Sequence, residues 1–354
     1  MRGSTRRIGI RRTIGAAVIL ALAAGCSSGT SSSGSGNSGS AGNVSLNVAL
    51  GASTLLYAPV YIAAAKGYFT QQGLSVQQTQ VVAAASVQAL VSGSVQLAFV
   101  ASESYLLDKE KNISAIAIQA NNTGNTSAYL LVSNKYLAEK HVSPSDPLAK
   151  RLQALKGATI GYTAAGAISQ INAEWMLKQA GLSVSDATLV QVGGGTAADA
   201  ALERGSIDMT FDAPPDVQSL VSSGVASVLI NGLQDFPLMA SQPYSVVLAE
   251  PSWLKTHAST ARKFTTAIAE AISFIDNHTA QAATLLQSKF PTVKSSLLLQ
   301  GLQAMVPTYT PGGAMTQAMW QNAIVLGQQA GSLTGNLSPV EGQLWTNQYL
   351  GTGS

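Results

Sequence analysis

Charge is scarce in this chain of 354 residues: only 10% are Asp, Glu, Lys or Arg, against 46% hydrophobic. Globular proteins usually carry about a quarter charged residues, so disorder driven by excess charge is excluded for most of the sequence. At about 150 residues per domain the length predicts roughly two domains. Five of the 20 basic residues, Arg2, Arg6, Arg7, Arg11 and Arg12, lie in the first twelve positions. The remainder sets fifteen basic residues against 17 acidic ones, a net charge of −2 with no basic block. Such a surface has little with which to neutralise phosphates, which excludes nucleic acid as a partner. There is a single cysteine, Cys26, so an internal disulfide and a multi-cysteine metal site are excluded. No metal and no cofactor is expected. G-x-S-x-G, H-E-x-x-H and phosphate-loop motifs are absent. Past residue 25 no apolar run is long enough to span a membrane.

What is present begins with an export signal. The early arginines precede the apolar run 14–25, IGAAVILALAAG, followed at once by Cys26. As a helix these twelve residues would span about 18 Å, short of the roughly 30 Å hydrocarbon core. A basic stretch, a short apolar run and small residues before the cut define a signal peptide over residues 1–25. The end of the run, AAGC, resembles the lipobox of bacterial lipoproteins, with Ala23 at the usual leucine position and Leu22 one place earlier. That resemblance implies lipidation of Cys26 and anchoring to the outer face of the cytoplasmic membrane. TRRIGIR is also similar to a twin-arginine signal, without the usual Phe-Leu, so the export route stays open. Residues 26–43 read as a Gly/Ser-rich tether with a reach of about 20–25 Å.

The body is written twice. ALVSGSVQLAFVA (89–101) and ALERGSIDMTFDA (201–213) align without a gap, and Gly-Leu-Ser-Val recurs at 73–76 and 181–184. Each copy alternates strand and helix. The first predicts strands at 46–50, 76–81 and 97–100 with helices at 60–67 and 86–92. The second predicts strands at 159–162, 188–192 and 209–211 with helices at 168–179 and 198–204. Such alternation defines βαβ units and a parallel sheet, with ligands bound beyond the carboxyl ends of the strands. The segments 128–133 and 244–250 read as strands crossing between lobes, with the hinge in or near them. From 259 onward the chain is helical: Phe264, Ile268 and Ile272 form an apolar stripe. Met315, Met319 and Trp320 read as core, and the C-terminal helices are expected mainly on the first lobe.

APVYIAAAKGYFTQQGLSV (58–76), ALVSGSVQLAF (89–99), LKGATIGY (155–162) and ALERGSIDM (201–209) together resemble the periplasmic-binding-protein type II solute receptors of ABC importers, in the branch that includes nitrate, sulfonate, taurine and thiamine-precursor binders. The resemblance covers about residues 44–330. Gln96 departs from it, standing where the family usually has Asp and where the second copy has Asp208. The resemblance implies an α/β fold of two lobes, each a mostly parallel sheet flanked by helices, with a ligand cleft between them. Residues 44–132 and 245–354 would form lobe 1 with the C-terminal helices, and 133–244 lobe 2. It also implies a small polar organic solute of the sulfonate, taurine-like or pyrimidine/amine class, an ABC permease in the membrane as partner, and a monomer.

Helix N-termini at the strand ends would supply the contacts. They are Ser53, Thr54 and Tyr57 after the first strand and Thr163, Gly166 and Ser169 after its counterpart. Ala84 precedes one helix, and Gly194, Gly195 and Thr196 precede its copy, where three glycines allow close backbone approach. After the third strands stand Ser102 and Glu103 in one lobe and Asp212 in the other, acids suited to an amine or an amidine-like ring edge, or equally to capping helices. Tyr244 and Tyr57 could stack on a ring or pack at a lobe edge. Beyond the signal the chain has only Arg151, Arg204 and Arg262, none in these loops, so an anion would rely on backbone N–H groups. The alternatives are an enzyme like the thiamine-pyrimidine synthases of the same fold, or a sensory lipoprotein without transport. The three histidines, His141, His257 and His278, lie outside the expected cleft loops, which argues against catalysis.

Overall fold

The computed structural model describes residues 43–51, 53–81 and 84–351. The expected signal peptide, Cys26 and all but the last residue of the tether lie outside the described residues. The chain opens with β1 (Val44–Leu50), α1 (Ala58–Ala65), α2 (Tyr68–Gln71), β2 (Leu74–Gln80), α3 (Ala84–Val91), β3 (Leu97–Ala101), α4 (Ser102–Glu110) and β4 (Ile116–Ala120). It crosses to β5 (Tyr129–Ser133), α5 (Asn134–Lys140), α6 (Leu148–Gln153), β6 (Thr159–Tyr162), α7 (Ile168–Gln179), β7 (Thr188–Gln191), α8 (Thr196–Glu203), β8 (Met209–Asp212), α9 (Asp216–Ser222), β9 (Ala226–Asn231), α10 (Gly232–Asp235) and α11 (Pro237–Ala240). It returns through β10 (Ser245–Ala249) to α12 (Pro251–Asn277), α13 (Thr279–Leu286), α14 (Ser295–Met305) and α15 (Gln317–Ala330).

Two five-stranded sheets result, in the orders β2-β1-β3-β10-β4 and β7-β6-β8-β5-β9. They are topological copies. In each, three parallel strands are followed by one antiparallel strand that arrives from the other lobe, β10 in the first and β5 in the second. The turns match as well: Gly93 and Gly205, equivalent in the repeat, follow α3 and α8 with φ of 78° and 70°. Every residue of β5 and β10 is buried, as an apolar strand covered on both faces must be.

The chain changes sheet over residues 121–128 and again over 241–244, so the expected lobe boundary at 132/133 falls inside β5. These crossovers run side by side. Asn121 N–H donates to the Ser245 carbonyl (2.7 Å), Tyr244 N–H to Asn122 (2.9 Å) and Gly124 N–H to Gln242 (2.7 Å).

On one face of the first sheet Leu46, Val48, Phe99 and Val247 pack against α1 and α12–α14, with Phe264, Ile268 and Ile272 buried as the stripe required. On the other face Val100, Val246 and Leu248 pack with Tyr105, Met315 and Trp320; Met319 is half-buried. The expectation that the C-terminal helices serve mainly lobe 1 fails for α15. Its Trp320 and Ala323 join the first lobe's core, while Leu326 and Ala330 join Trp175, Met176 and Phe236 of the second. A helix with apolar residues on two sides can fill a groove between two bodies. No helix among the described residues is long and apolar enough to cross a membrane.

Candidate functional site

The carboxyl edges of the two sheets meet. Leu55, in the loop after β1, donates its N–H to the carbonyl of Pro214, in the loop after β8 (3.1 Å). Gly301 on α14 lets the same walls approach: a Cβ there would stand 2.9 Å from Leu55 and 3.3 Å from the Pro215 backbone.

The structure divides the expected site residues into those held by the protein and those left to the strand edge. Thr54 caps the short turn Leu55–Tyr57, accepting from Leu56 N–H, while Ser53 is exposed. Tyr57 is buried edge-on against Phe99 with its hydroxyl beside Gly51; burial raises its pKa to about 12, so it packs as a neutral phenol. Ser169, also buried, accepts from Thr163 N–H (2.9 Å) and pairs with the Thr163 hydroxyl (2.9 Å). Gly166 N–H donates to Gln170 (2.8 Å). These bonds shape the turn that opens α7. Ala84 begins α3.

Glu103 does not face open space. Its carboxyl is 2% exposed and accepts from Ser102 Oγ (3.2 Å), Asn125 Nδ2 (3.3 Å) and Gln242 Nε2 (2.9 Å). Burial pushes its pKa up to about 7, against the smaller opposing pull of these hydrogen bonds. Tyr244, 1% exposed, lies beside it, bonded to the Ser127 side chain. Asn125, Asn172, Gln242 and Ser127 were invisible to sequence reasoning, since buried amides far apart in the chain carry no local signal.

The second lobe's edge is different. Gly194, Gly195 and Thr196 form the entry to α8, and Gly195 has φ 56° and ψ −132°, a conformation open essentially to glycine alone. Beside them Asp199, Asp212 and Asp216 bring carboxylate oxygens within 4.8 Å of one another. Asp212 Oδ1 accepts from Ala213 N–H (2.8 Å), while Asp212 Oδ2 and Asp199 Oδ1 are buried without a hydrogen-bond partner. Burial and then the charges of Asp216 and Asp199 hold Asp212 well above the usual carboxylate range. Asp216 rises to about 6, through burial and then the charge of Asp199. Three acids so close cannot all ionise without a compensating cation. Such a cluster suits a protonated amine, and its oxygens could also hold a hard metal ion. Asp199 was missed because an acid in a helix's first turn reads as a dipole partner.

Basic groups are elsewhere. Arg151 is spent on Asp235 through two hydrogen bonds (2.7 and 2.8 Å), Arg204 closes the far end of α8, and Arg262 lies over Tyr349. The loops 51–54, 163–167, 192–196 and 212–216 contain no Lys or Arg. A groove of about 590 Å³ lined by Tyr68, Glu270, Phe274 and His278 lies along α12, away from the strand ends.

Two sheets of the same winding, joined by paired crossovers and meeting at their carboxyl edges, define the two-lobed periplasmic-binding-protein type II fold. The chain belongs to the NMT1/THI5-like family, which it matches over residues 56–282. Among curated proteins it is similar to YtlA of Bacillus subtilis (strain 168), 23% identical over 287 residues that cover 79% of this chain and 81% of that one. Among solved structures it is similar to a protein of Bordetella bronchiseptica RB50, with a TM-score of 0.72, 24% identity and coverage of 87% of this chain and 96% of that one. It is also similar to the periplasmic aliphatic sulphonate binding protein SsuA of Escherichia coli, with a TM-score of 0.64, 17% identity and coverage of 88% and 92%.

Proposed function

We propose that this chain is the solute-binding lipoprotein of an ABC importer, anchored through Cys26 outside the cytoplasmic membrane, and that it captures a small polar organic solute for a permease. Family membership and the likeness to SsuA support the transport reading. Within that reading we assign the solute a cationic or donor-rich edge, such as a protonated amine or an aminopyrimidine, rather than a simple sulfonate or nitrate. The observation that carries this choice is the meeting of Asp199, Asp212 and Asp216 beside the glycine entry to α8, with no basic residue in the edge loops. Contacts would come from the Gly194–Thr196 backbone, from Ser53 and Thr54 opposite, and from Asp212, while Glu103 serves the lobe junction.

A bound solute raises the melting temperature by mass action. In a thermal-shift screen, amines and aminopyrimidines should raise it, and sulfonates and nitrate should not. Asp212→Asn should abolish the response. Stabilisation by simple anions alone would overturn the choice of solute, and stabilisation by Ca²⁺ alone would replace the organic cation with a metal ion.

A further inference from the structure

The crossovers form a ribbon of two strands between the lobes, and one side chain grips both. Glu103, in the first turn of α4, takes Asn125 of the first crossover and Gln242 of the second on a single carboxylate oxygen, Oε1. Asn125 then donates to Asn172 Oδ1 on α7 (2.9 Å), and Asn172 Nδ2 reaches back to the Ser127 carbonyl (3.4 Å). The chain of bonds thus runs from lobe 1 through both crossovers into lobe 2. Every side chain in it from Glu103 to Asn172 is fully or almost fully buried. Beside it the backbone is tied as well, Ser102 N–H donating to the Tyr244 carbonyl (2.8 Å).

From this geometry we infer that Glu103 is the positioning residue of the interlobe hinge, holding both crossovers at once, so that rotation of the lobes and ionisation of its carboxyl are coupled. The inference rests on the two-lobed solute-binding reading. Rotation must change backbone angles in the crossovers, which would part Asn125 or Gln242 from the carboxyl and admit water.

A dry carboxyl without a cationic partner favours its proton, and a hydrated one releases it. Among the described residues the only titratable neighbour facing it is Tyr244, itself neutral because buried. The charged residues of α4 stand at its other end: Asp108 with Lys111, Lys109 on the Ile113 and Ala115 carbonyls, and Glu110 on Thr334. α7 offers Asn172, and α15, packed on α4, has no charged residue. Low pH therefore favours the arrangement seen here, and high pH favours one in which the crossovers have moved.

The test uses the full chain carrying Cys26→Ser, spin-labelled at Val91→Cys and Val184→Cys, exposed sites on opposite lobes. Interlobe distances are read by pulsed electron resonance at pH 5.5 and 8.5 without solute. The ratio of the two populations should change roughly tenfold between these pH values, and Glu103→Gln should keep the pH 5.5 distribution at both. A distribution independent of pH, or an unchanged response in Glu103→Gln, overturns the inference. Should that variant fail to fold, Gln242→Leu keeps the carboxyl but frees one crossover, and it must broaden the distribution at both pH values; an unaltered one overturns the inference. No solute is needed, so a failed solute screen leaves the hinge standing, and a flat pH response leaves solute capture standing.

Discussion

Gln96 and Asp208 hold equivalent turns of the two lobes in the same way. The Gln96 side-chain amide oxygen accepts from Asn47 N–H at 2.9 Å, and an Asp208 carboxylate oxygen accepts from Thr159 N–H at 2.8 Å. Each also donates its own N–H to the carbonyl of the residue it caps, at 2.9 and 2.8 Å. The departure of Gln96 from the family pattern is thus conservative in geometry, since an amide oxygen replaces a carboxylate oxygen as acceptor. Gln96→Leu should cost about 1 kcal/mol and Asp208→Leu about 2 kcal/mol, as neutral and charged acceptors differ. Urea unfolding checks both. Equal costs would mean that the charge of Asp208 adds nothing.

Stability should fall as pH rises through the acid-to-neutral range. Glu103 binds its proton more tightly folded, with a pKa of about 7 against an ordinary 4.5, so the stability it confers is complete below about 4.5 and lost as pH climbs to about 7. The full effect is on the order of 3 kcal/mol. Asp212 and Asp216 add to the same slope. Glu103→Gln should flatten the curve of urea midpoint against pH, and an unaltered slope would show the carboxyl to be hydrated.

Binding of a cationic solute should release protons. Burial and its acidic neighbours favour the protonated form of Asp212 in the free protein, and an ammonium group placed against it reverses that balance. Calorimetry in buffers of different ionisation enthalpy should show net proton release on binding, with affinity rising with pH. Asp212→Asn should lose the proton release and the binding while gaining about 1 kcal/mol in stability, a trade common at binding sites.

Gly195→Ala should cost about 1–3 kcal/mol, because its backbone angles exclude a side chain. The loss of solute affinity should exceed what the same destabilisation causes at a remote position, such as Gly67→Ala, where a Cβ meets nothing within 4 Å. Equal losses at the two glycines would remove the α8 entry from the site.

Gly301→Leu should wedge α14 away from Pro215 and Gln218 and so separate the lobes on that side. Small-angle scattering should record a larger radius of gyration, and solute affinity should fall although no proposed contact is touched. An unchanged radius would mean that α14 yields instead.

The repeat carried most of the architecture because its signals are local. α7 runs over Ile168–Gln179 and β6 over Thr159–Tyr162, where glycine stops and apolar runs marked them. β4 and β9 went unseen, lying outside the copied motif as short strands at the ends of the sheets. β5 and β10 were legible as strands but read as bridges between lobes; an apolar run reports burial, not which neighbours provide it. The site was less legible. Asp212 lay in view, but the role of Glu103 depends on partners at 125 and 242, and no spacing rule joins residues brought together by a lobe folded between them.

The position of β10 also orders the making of the molecule. It lies between β3 and β4, so β4 has no strand to pair with until the chain has been synthesised past residue 249. The second lobe, a continuous stretch, can therefore fold before the first has finished. The lobe begun first is thus the last to close around its central strand.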